Sequence, residues 1–279
     1  SLLFQGPNRM NALKEYARRF TPFLLGRILR TDPKTIRKTI IVDSEQVAAQ
    51  LKSVIAKLND SFRYPVLLDG ETRKSMAEIR HEMRSLLFEE LGFELRREKS
   101  SVCEGEGVFL SRGATSSHTL FCLYPGTLYG LGDPILIQSL GNSFILKCRD
   151  GQMIDGNDRR ISRSIFKSCA YRDFGHRVCD LTWLERDPVT GSAVDPANFL
   201  NMGQYVNDAR DVKGNVQYID VDIIDWPLSL RRWLPYATYR PREGGIAGVH
   251  DGIPLRIVAL VSTREIHEGE ELLADYLSC

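Results

Sequence analysis

Long apolar runs are missing from this sequence of 279 residues, and so are closely spaced pairs of cysteines. The longest apolar stretches, such as residues 257–261, have the length of a β-strand and fall short of the roughly 20 residues that a membrane helix needs. The six cysteines are scattered, and no two of them form a C-x-x-C pair. This spacing favours an intracellular chain with reduced thiols over a disulfide-linked framework.

A complete set of metal ligands is missing as well. Cys169, His176 and Cys179 form the closest group of zinc-binding residue types. A structural zinc site needs four ligands, and no fourth one is evident in the sequence. We therefore predict no metal site.

Acidic residues are scarce near the N-terminus. Residues 8–42 contain nine Lys or Arg residues against Glu15 and Asp32, a net charge of +7, whereas the whole chain carries +1 and the remainder therefore −6. Such a basic segment can contact nucleic acid, an acidic partner or a membrane surface, or form the solvated face of a packed helix. It also resembles a mitochondrial presequence, so nucleus, cytosol and mitochondrion all stay open. Residues 1–7, SLLFQGP, look like the remnant of a cleaved expression tag.

Apolar residues at helical spacing predict helices within residues 8–98. Asp43 or Ser44 can cap a first helix, and Gly92 is placed to end a second one. Stripes of this kind usually pack in a core, so we predict a helical N-terminal region. The two stripes are Val47, Leu51, Val54, Ile55 and Leu58, and then Met76, Ile79, Met83, Leu86, Leu87 and Leu91.

From residue 99 onward, the pattern changes to short runs of β-forming residues broken by glycine and proline. No helical pattern of about 12 residues recurs between the runs, which argues against a parallel sheet of the Rossmann type. We therefore predict an α+β protein in which a helical region, residues 8–98, precedes a compact domain of small sheets, residues 99–279. The oligomeric state is not predictable from these patterns.

Two glycine-containing segments are candidates for a binding site. In residues 105–109, GEGVF, the glycines would let a ligand approach the strand backbone closely, because no Cβ intervenes. The segment does not fit the G-x-G-x-x-G dinucleotide fingerprint, since Leu110 occupies the third glycine position. In residues 124–127, YPGT, a Pro-Gly turn can hold Tyr124 at the edge of a pocket. Either segment alone could equally be a simple turn.

Two further segments carry polar residues next to apolar ones. Residues 203–208, GQYVND, place Asn207 where its amide can both donate to and accept from a buried polar ligand. Residues 264–276 follow an apolar strand and end in Tyr276. Taken alone, this last segment predicts a strand, a turn and a terminal helix.

The order of the four segments resembles the motif order of the SET-domain family of protein methyltransferases: G-x-G, Y-x-G, an Asn-containing segment and G-E-E-L-x-x-D-Y. The resemblance covers residues 102–276. It implies the SET fold, with several small, mostly antiparallel sheets and a C-terminal pseudoknot that threads the Asn segment and the tyrosine segment together. It also implies an enzyme that uses S-adenosylmethionine to methylate a protein or peptide substrate, usually on a lysine side chain. Nucleic acid, which the basic segment alone would suggest, is the weaker candidate for a partner.

The resemblance implies roles for individual residues. Tyr276 would be the catalytic tyrosine and also contact the cofactor, and Tyr124 would line the cofactor or lysine pocket as a second catalytic residue. Asn207 would bond the amino-acid end of the cofactor. The implied cofactor contacts are Glu106, Gly107, Val108 and Phe109 through backbone groups, and Gln204, Tyr205, Asn207 and Asp208.

Methyl transfer of this kind depends on alignment of the two reactants more than on acid–base side chains. We therefore expect Glu270, Glu271 and Asp275 to anchor the fold or form solvated charge pairs. Two positions depart from the family pattern: Asp208 stands where histidine is usual, and Ala274 stands where phenylalanine or tyrosine is frequent. These departures keep two alternatives open, a catalytically silent binding module and a methyltransferase with a non-lysine acceptor.

Overall fold

A computed structural model describes most of the chain between residues 43 and 275. The basic segment 8–42, the residues His176 and Cys179, and Tyr276 lie outside the described residues. Within the described part, no helix has both the length and the apolar character needed to cross a membrane. The described ranges are 43–62, 76–174, 183, 194–209, 212–240 and 254–275.

The described residues form five α-helices, two 3-10 turns and eleven strands. The α-helices are α1 (Ser44–Ser61), α2 (Met76–Leu91), α3 (Leu136–Ser139), α4 (Arg160–Phe174) and α5 (Leu228–Arg231), and Phe199–Asn201 and Gly203–Tyr205 are 3-10 turns. The strands are β1 (Phe93–Lys99), β2 (Glu106–Gly113), β3 (Leu120–Leu123), β4 (Gly126–Tyr129), β5 (Ile145–Lys147), β6 (Met153–Asp155), β7 (Asn207–Asp208), β8 (Val216–Ile223), β9 (Tyr236–Thr238), β10 (Leu255–Ser262) and β11 (Leu273–Ala274).

Helix α1 begins and packs as its sequence predicts. The Asp43 carboxylate caps the helix by accepting a hydrogen bond from the Glu45 N–H at 2.9 Å. The predicted apolar stripe is buried and belongs to the same core as β3, β8 and β10. The stripe consists of Val47, Leu51, Val54, Ile55 and Leu58.

Residues 93–98 were expected to belong to the helical region, and that expectation is wrong. Helix α2 ends at Leu91, and Gly92 then adopts a φ of +76°, a left-handed conformation that glycine tolerates. The chain continues as β1, which pairs antiparallel with β2. Phe93, Glu94 and Leu95 are all buried at the start of β1, so pairing with β2 and burial in the core replace the helical pattern here.

Among the described residues, the strands form three small sheets with the orders β1-β2, β3-β10-β8-β11-β7 and β5-β6-β4-β9. Most neighbouring strands are antiparallel, as in the β10–β8 and β4–β6 pairs. The parallel pairs are β4–β9, β7–β11 and β8–β11. This arrangement confirms the predicted α+β class with small, mostly antiparallel sheets.

The C-terminal strand β11 lies between β7 and β8, which are consecutive strands of the chain. Ala209 N–H donates to the Ala274 carbonyl at 3.0 Å, and Asn215 N–H donates to the Leu273 carbonyl at 2.9 Å. The end of the chain is thus threaded between the Asn segment and the strand that follows it. The terminal helix predicted from residues 264–276 alone is therefore wrong for its described part, because neighbouring strands satisfy the backbone of Leu273 and Ala274.

A buried carboxyl group lies at the end of β6. Asp155 is opposite Thr127 of β4, and its partners are neutral: Asn142 Nδ2 donates to Oδ1 at 2.8 Å and Asn157 N–H donates to Oδ1 at 3.1 Å. Burial raises the pKa of Asp155, and the hydrogen bonds from Ser162, Asn142 and Asn157 offset only part of that effect.

Replacement of Leu51 tests whether α1 and the sheets form one cooperative unit. Leu51 is fully buried in their shared core, so Leu51→Ala should lower the free energy of unfolding by about 2–5 kcal/mol. Circular dichroism and tryptophan fluorescence should report one urea transition, shifted as a whole. The exposed Lys52→Ala is the control, and separate transitions for the two signals would contradict the shared core.

Asp155 should make the protein less stable as pH rises. Its raised pKa means that the folded state binds a proton more tightly than the unfolded state, and this proton therefore stabilises the fold. The stabilisation is complete below the pKa of Asp155 in the unfolded chain and is lost as pH rises through its pKa in the folded protein. Asp155→Asn keeps the shape without the ionisation, so its unfolding free energy should fall less than that of the wild type between acidic and mildly alkaline pH. Equal pH dependence of the two proteins in urea unfolding would contradict this assignment.

Candidate active site

Three of the four motif segments meet at strand β2. On the edge of β2 that β1 leaves open, the Leu272 N–H donates to the Val108 carbonyl at 2.7 Å. The Asn207 amide donates to the carbonyl of Glu106, at the start of the same strand, at 3.1 Å. The glycine strand, the Asn segment and the C-terminal segment therefore share one site.

The Glu271 carboxylate holds this site together. It accepts hydrogen bonds from Ser100 Oγ at 2.7 Å, from Ser101 Oγ at 2.6 Å and from Asn207 Nδ2 at 3.0 Å. Burial by itself would raise the pKa of Glu271, but the hydrogen bonds from Ser101, Asn207 and Ser100 outweigh it and lower the pKa. Glu271 is thus an ionised anchor, as expected from the sequence, and its lowered pKa makes it unsuited to act as a base near neutral pH.

The second glycine of the G-x-G segment is required for close packing of protein groups. A Cβ atom on Gly107 would lie 2.1 Å from Glu271 Oε1 and 3.0 Å from Asn207 Nδ2. Protein side chains therefore occupy the space that the sequence analysis assigned to an approaching ligand. Any larger residue at 107 would break the contact between Asn207 and Glu271.

A buried arginine joins β1 to the other parts of the site. Arg97 Nε donates to Asp195 Oδ1 at 2.8 Å, and Nη1 lies 3.4 Å from Glu106 Oε2. The guanidinium lies 4.6 Å from the centre of the Tyr205 ring. The Arg97 side chain is only 5% exposed and the Asp195 side chain 25%, so this pair is largely shielded from solvent, whereas the Glu106 side chain is 61% exposed.

Tyr205 is held on several sides. Its hydroxyl group bonds to the buried carboxylate of Asp158, and its ring meets the edge of Phe144 at 6.2 Å. Burial, together with the Asp158 charge, raises the pKa of Tyr205 well above its usual value. The hydroxyl group is therefore protonated at neutral pH and acts as a hydrogen-bond donor.

Tyr124 and Gln204 meet above Gly156. A Cβ on Gly156 would lie 2.7 Å from Tyr124 Cε1 and 3.1 Å from Gln204 Cβ. Gln204 is 3% exposed, and its amide lies near the Tyr205 hydroxyl. Neither polar atom of the amide has a hydrogen bond of ordinary geometry to a described residue. A buried amide in this state is costly unless a ligand or water satisfies it.

Comparisons with known proteins identify the family. No protein-family model matches the chain. SET domain-containing protein 9 of Homo sapiens is 32% identical over an alignment of 297 positions that covers 94% of each protein. This chain belongs to the SET-domain family. SET domain-containing protein 9 of Pongo abelii is 37% identical over 212 residues, which cover 72% of each protein.

Two solved structures of SET-domain proteins are distantly similar. KRYPTONITE, crystallised in complex with mCHH DNA, an H3(1-15) peptide and SAH, has a TM-score of 0.32 and 14% identity over 66% of this chain and 23% of its own. CpSET8 from Cryptosporidium has a TM-score of 0.33 and 13% identity over 95% of this chain and 94% of its own. At these TM-scores, neither structure bears on the function of this SET-domain protein.

The structure places most of the residues implied by the SET resemblance around one site. Glu106, Gly107, Val108 and Phe109 lie in β2, Gln204 and Tyr205 lie in a 3-10 turn, and Asn207 and Asp208 form β7. Tyr124 is buried at the end of β3, and Tyr276 lies outside the described residues. Their contacts with cofactor and substrate stay predictions.

Several residues of the SET site had no local signal in the sequence. Arg97, Asp158 and Asp195 were not identified because their partners are far away in the chain; Arg97 and Asp195 are 98 residues apart. The Asn207 amide group donates to Glu271, Glu106 and Ser100 of the protein itself, contacts that the sequence analysis did not identify.

The two departures from the SET pattern face each other. Asp208 of β7 and Ala274 of β11 are direct partners in the parallel pairing. Ala274 is fully buried, so protein atoms already surround the position where the family often has an aromatic ring. The two departures from the family pattern therefore lie at paired positions of the same two strands.

Arg97 should contribute strongly to stability. Arg97→Gln would leave the Asp195 carboxylate without its cation, so we expect the free energy of unfolding to fall by about 3–5 kcal/mol. The matched control is Arg96→Gln, because the Arg96 side chain is 57% exposed and should contribute less than about 1 kcal/mol. Equal losses for the two variants in urea unfolding would show that Arg97 does not join these segments.

Proposed function

We propose that this SET-domain protein is an S-adenosylmethionine-dependent protein methyltransferase that acts on a side-chain nitrogen, lysine first of all. Membership of the SET-domain family supports methyltransferase activity. The observation that carries the finer proposal is the insertion of β11 between β7 and β8. It brings Asn207, the glycine strand and the segment leading to Tyr276 to a single site.

The residues at this site fit a polar cofactor. Among the described residues, the buried Gln204 amide has no partner of ordinary geometry, and the Glu106 carboxylate is largely exposed beside Arg97. The Tyr205 hydroxyl group, which donates to Asp158, lies close to Gln204 and can accept a further hydrogen bond. Cofactor-binding groups in this proposal are Glu106, Gly107, Val108, Phe109, Gln204, Tyr205, Asn207, Asp208 and Tyr276.

When bound, the cofactor supplies a methyl group on a positively charged sulfur. The protein has to align the acceptor nitrogen and keep it neutral, and a buried, poorly hydrated site lowers an amine pKa by disfavouring the charged form. Tyr124 and Tyr276 are the hydroxyl groups assigned to orient the reactants. Glu270 takes no part, because it bonds Arg264 and the His267 N–H.

Partner and location belong to the same proposal. The substrate is a protein or peptide, nucleic acid is the weaker candidate, and the protein is intracellular. These assignments rest on the sequence patterns and the family resemblance.

The paired departures support a second candidate, a SET-fold binding module or an enzyme with a non-lysine acceptor. Asp208 and Ala274 lie in register at the centre of the threaded site, where the family usually carries larger side chains. Mass spectrometry of methylated peptides would identify the acceptor. A protein that binds peptide but no cofactor would favour the silent module.

Gln204→Leu tests the cofactor assignment. An apolar side chain removes the unsatisfied buried amide, so the free protein should be at least as stable as wild type. Its dissociation constant for S-adenosylmethionine should rise about tenfold or more in calorimetry, which is about 1.4 kcal/mol. Gln138→Leu, at the other buried glutamine, is the control and should bind like wild type.

Tyr276→Phe separates binding from turnover in the same assay series. We expect it to bind the cofactor normally and to lose roughly 100-fold in methyl transfer to lysine peptides. Undiminished binding by Gln204→Leu would remove Gln204 from the site. Undiminished transfer by Tyr276→Phe would remove the catalytic tyrosine.

A further inference from the structure

The buried Gln204 amide has a neighbour that can fix its orientation. Gln204 is 3% exposed, and neither its nitrogen nor its oxygen has a hydrogen bond of ordinary geometry to a described residue. The amide lies near the Tyr205 hydroxyl group. Because a glutamine amide carries donors on one atom and an acceptor on the other, the atom that faces Tyr205 decides which one is left for a ligand.

The Tyr205 ring is held so that its hydroxyl group stays beside Gln204. The Arg97 guanidinium lies 4.6 Å from the centre of the ring, and the centre of the Phe144 ring lies 6.2 Å away in an edge contact. Arg97 is itself fixed by Asp195, whose Oδ1 accepts from Nε at 2.8 Å. With the ring restricted in this way, the main freedom left to the hydroxyl group is the direction of its hydrogen.

Asp158 determines where this hydrogen points. The Asp158 side chain is 2% exposed, and the Tyr205 hydroxyl group bonds to its carboxylate. Arg159 Nε lies 3.6 Å from Asp158 Oδ1, so the carboxylate is also paired with a cation. An ionised carboxylate has acceptors and no donor, and Tyr205 therefore has to donate its hydrogen to Asp158. The lone pairs of the hydroxyl oxygen are then free for Gln204.

The direction of the Tyr205–Asp158 bond sets the orientation of the Gln204 amide. A hydroxyl group whose hydrogen is on Asp158 can only accept a further bond, so the amide nitrogen of Gln204 turns towards Tyr205. The reverse orientation would bring two acceptors, Gln204 Oε1 and the Tyr205 oxygen, together in a buried environment, which is costly. Gln204 Oε1 is therefore left as an acceptor for a ligand.

We propose, on the basis of the proposed function, that Asp158 is a positioning residue that acts through Tyr205 and makes Gln204 selective for a nitrogen donor of the cofactor. S-adenosylmethionine carries such donors in the amino group of adenine and in the ammonium group of its amino-acid end. Water and ribose hydroxyl groups both donate and accept, so their binding would not depend on the orientation of the amide.

Calorimetry on the full chain with S-adenosylhomocysteine tests this proposal. Asp158→Leu keeps a branched side chain but removes the acceptor, so the Tyr205 hydrogen turns to Gln204 Oε1 and the amide presents its donors to the ligand. Two donors then meet, and the dissociation constant should rise at least about tenfold. Tyr205→Phe leaves the amide free to rotate and should therefore cost less than Asp158→Leu.

Ligand analogues identify the donor. S-inosylhomocysteine has a carbonyl oxygen in place of the adenine amino group, and 5′-methylthioadenosine lacks the amino-acid end. If the loss caused by Asp158→Leu disappears with the first analogue, the donor is the adenine amino group; if it disappears with the second, the donor is the ammonium group. An equal loss for all three ligands would overturn the proposal, because a packing defect does not distinguish donors from acceptors.

Further variants separate orientation from folding. Asp158→Asn keeps the shape and can both donate and accept, so it should show a smaller loss with the same dependence on the ligand. In a Gln204→Leu background, Asp158→Leu should add no further loss, because no amide remains to be oriented. Asp155→Asn, at a second buried acid of the same segment that bonds other residues, is the control and should bind like wild type.

Two kinds of failure are distinguishable. If wild type binds none of the three ligands, the proposed function falls and this proposal falls with it. If wild type binds S-adenosylhomocysteine and both Asp158→Leu and Asp158→Asn bind it equally well, only the role of Asp158 is overturned. An additional loss from Asp158→Leu in the Gln204→Leu background would likewise show that Asp158 does not act through the amide.

Discussion

Two very short parallel pairings hold β11 between β7 and β8, and the candidate site depends on them. Strands of two residues cannot be stable through backbone pairing alone, so side chains have to reinforce them. Asn215 does this: its Oδ1 accepts from the Leu273 N–H at 2.8 Å, and its Nδ2 donates to the Glu271 carbonyl at 2.8 Å. Loss of this threading would separate Asn207 from the glycine strand and disperse the site.

Two charged residues, Glu271 and Arg97, hold the other residues of the site in place. Glu271 is ionised and saturated by hydroxyl and amide donors, and Arg97 is surrounded by carboxylates and the Tyr205 ring. Groups of this kind position neighbouring residues and do not transfer protons. This agrees with a reaction whose main requirement is alignment of two reactants. The buried Gln204 amide has no hydrogen bond of ordinary geometry to a described residue, and we therefore give it the clearest ligand-binding role.

Local patterns in the sequence predicted the elements whose stability is local. The apolar stripe of α1 and the glycine at the end of α2 both have the predicted role. Two local predictions were wrong, the helical assignment of residues 93–98 and the terminal helix, because pairing with distant strands decides the structure there. The motif order located β2, β7 and β11, but the contacts of Arg97 with Asp195 and of Ser100 with Glu271 span 98 and 171 residues. No spacing rule covers such distances, so these anchors become visible only in the folded chain.

Residues 155–160 connect strand β6 to helix α4 and contact several residues of the candidate site. Asp155 ends β6 as a buried acid, Gly156 lies against Tyr124 and Gln204, and Asp158 bonds Tyr205. Arg160 then begins helix α4. Because these residues follow one another directly, a shift of α4 against the sheet would have to move Asp158 and so the ring of Tyr205.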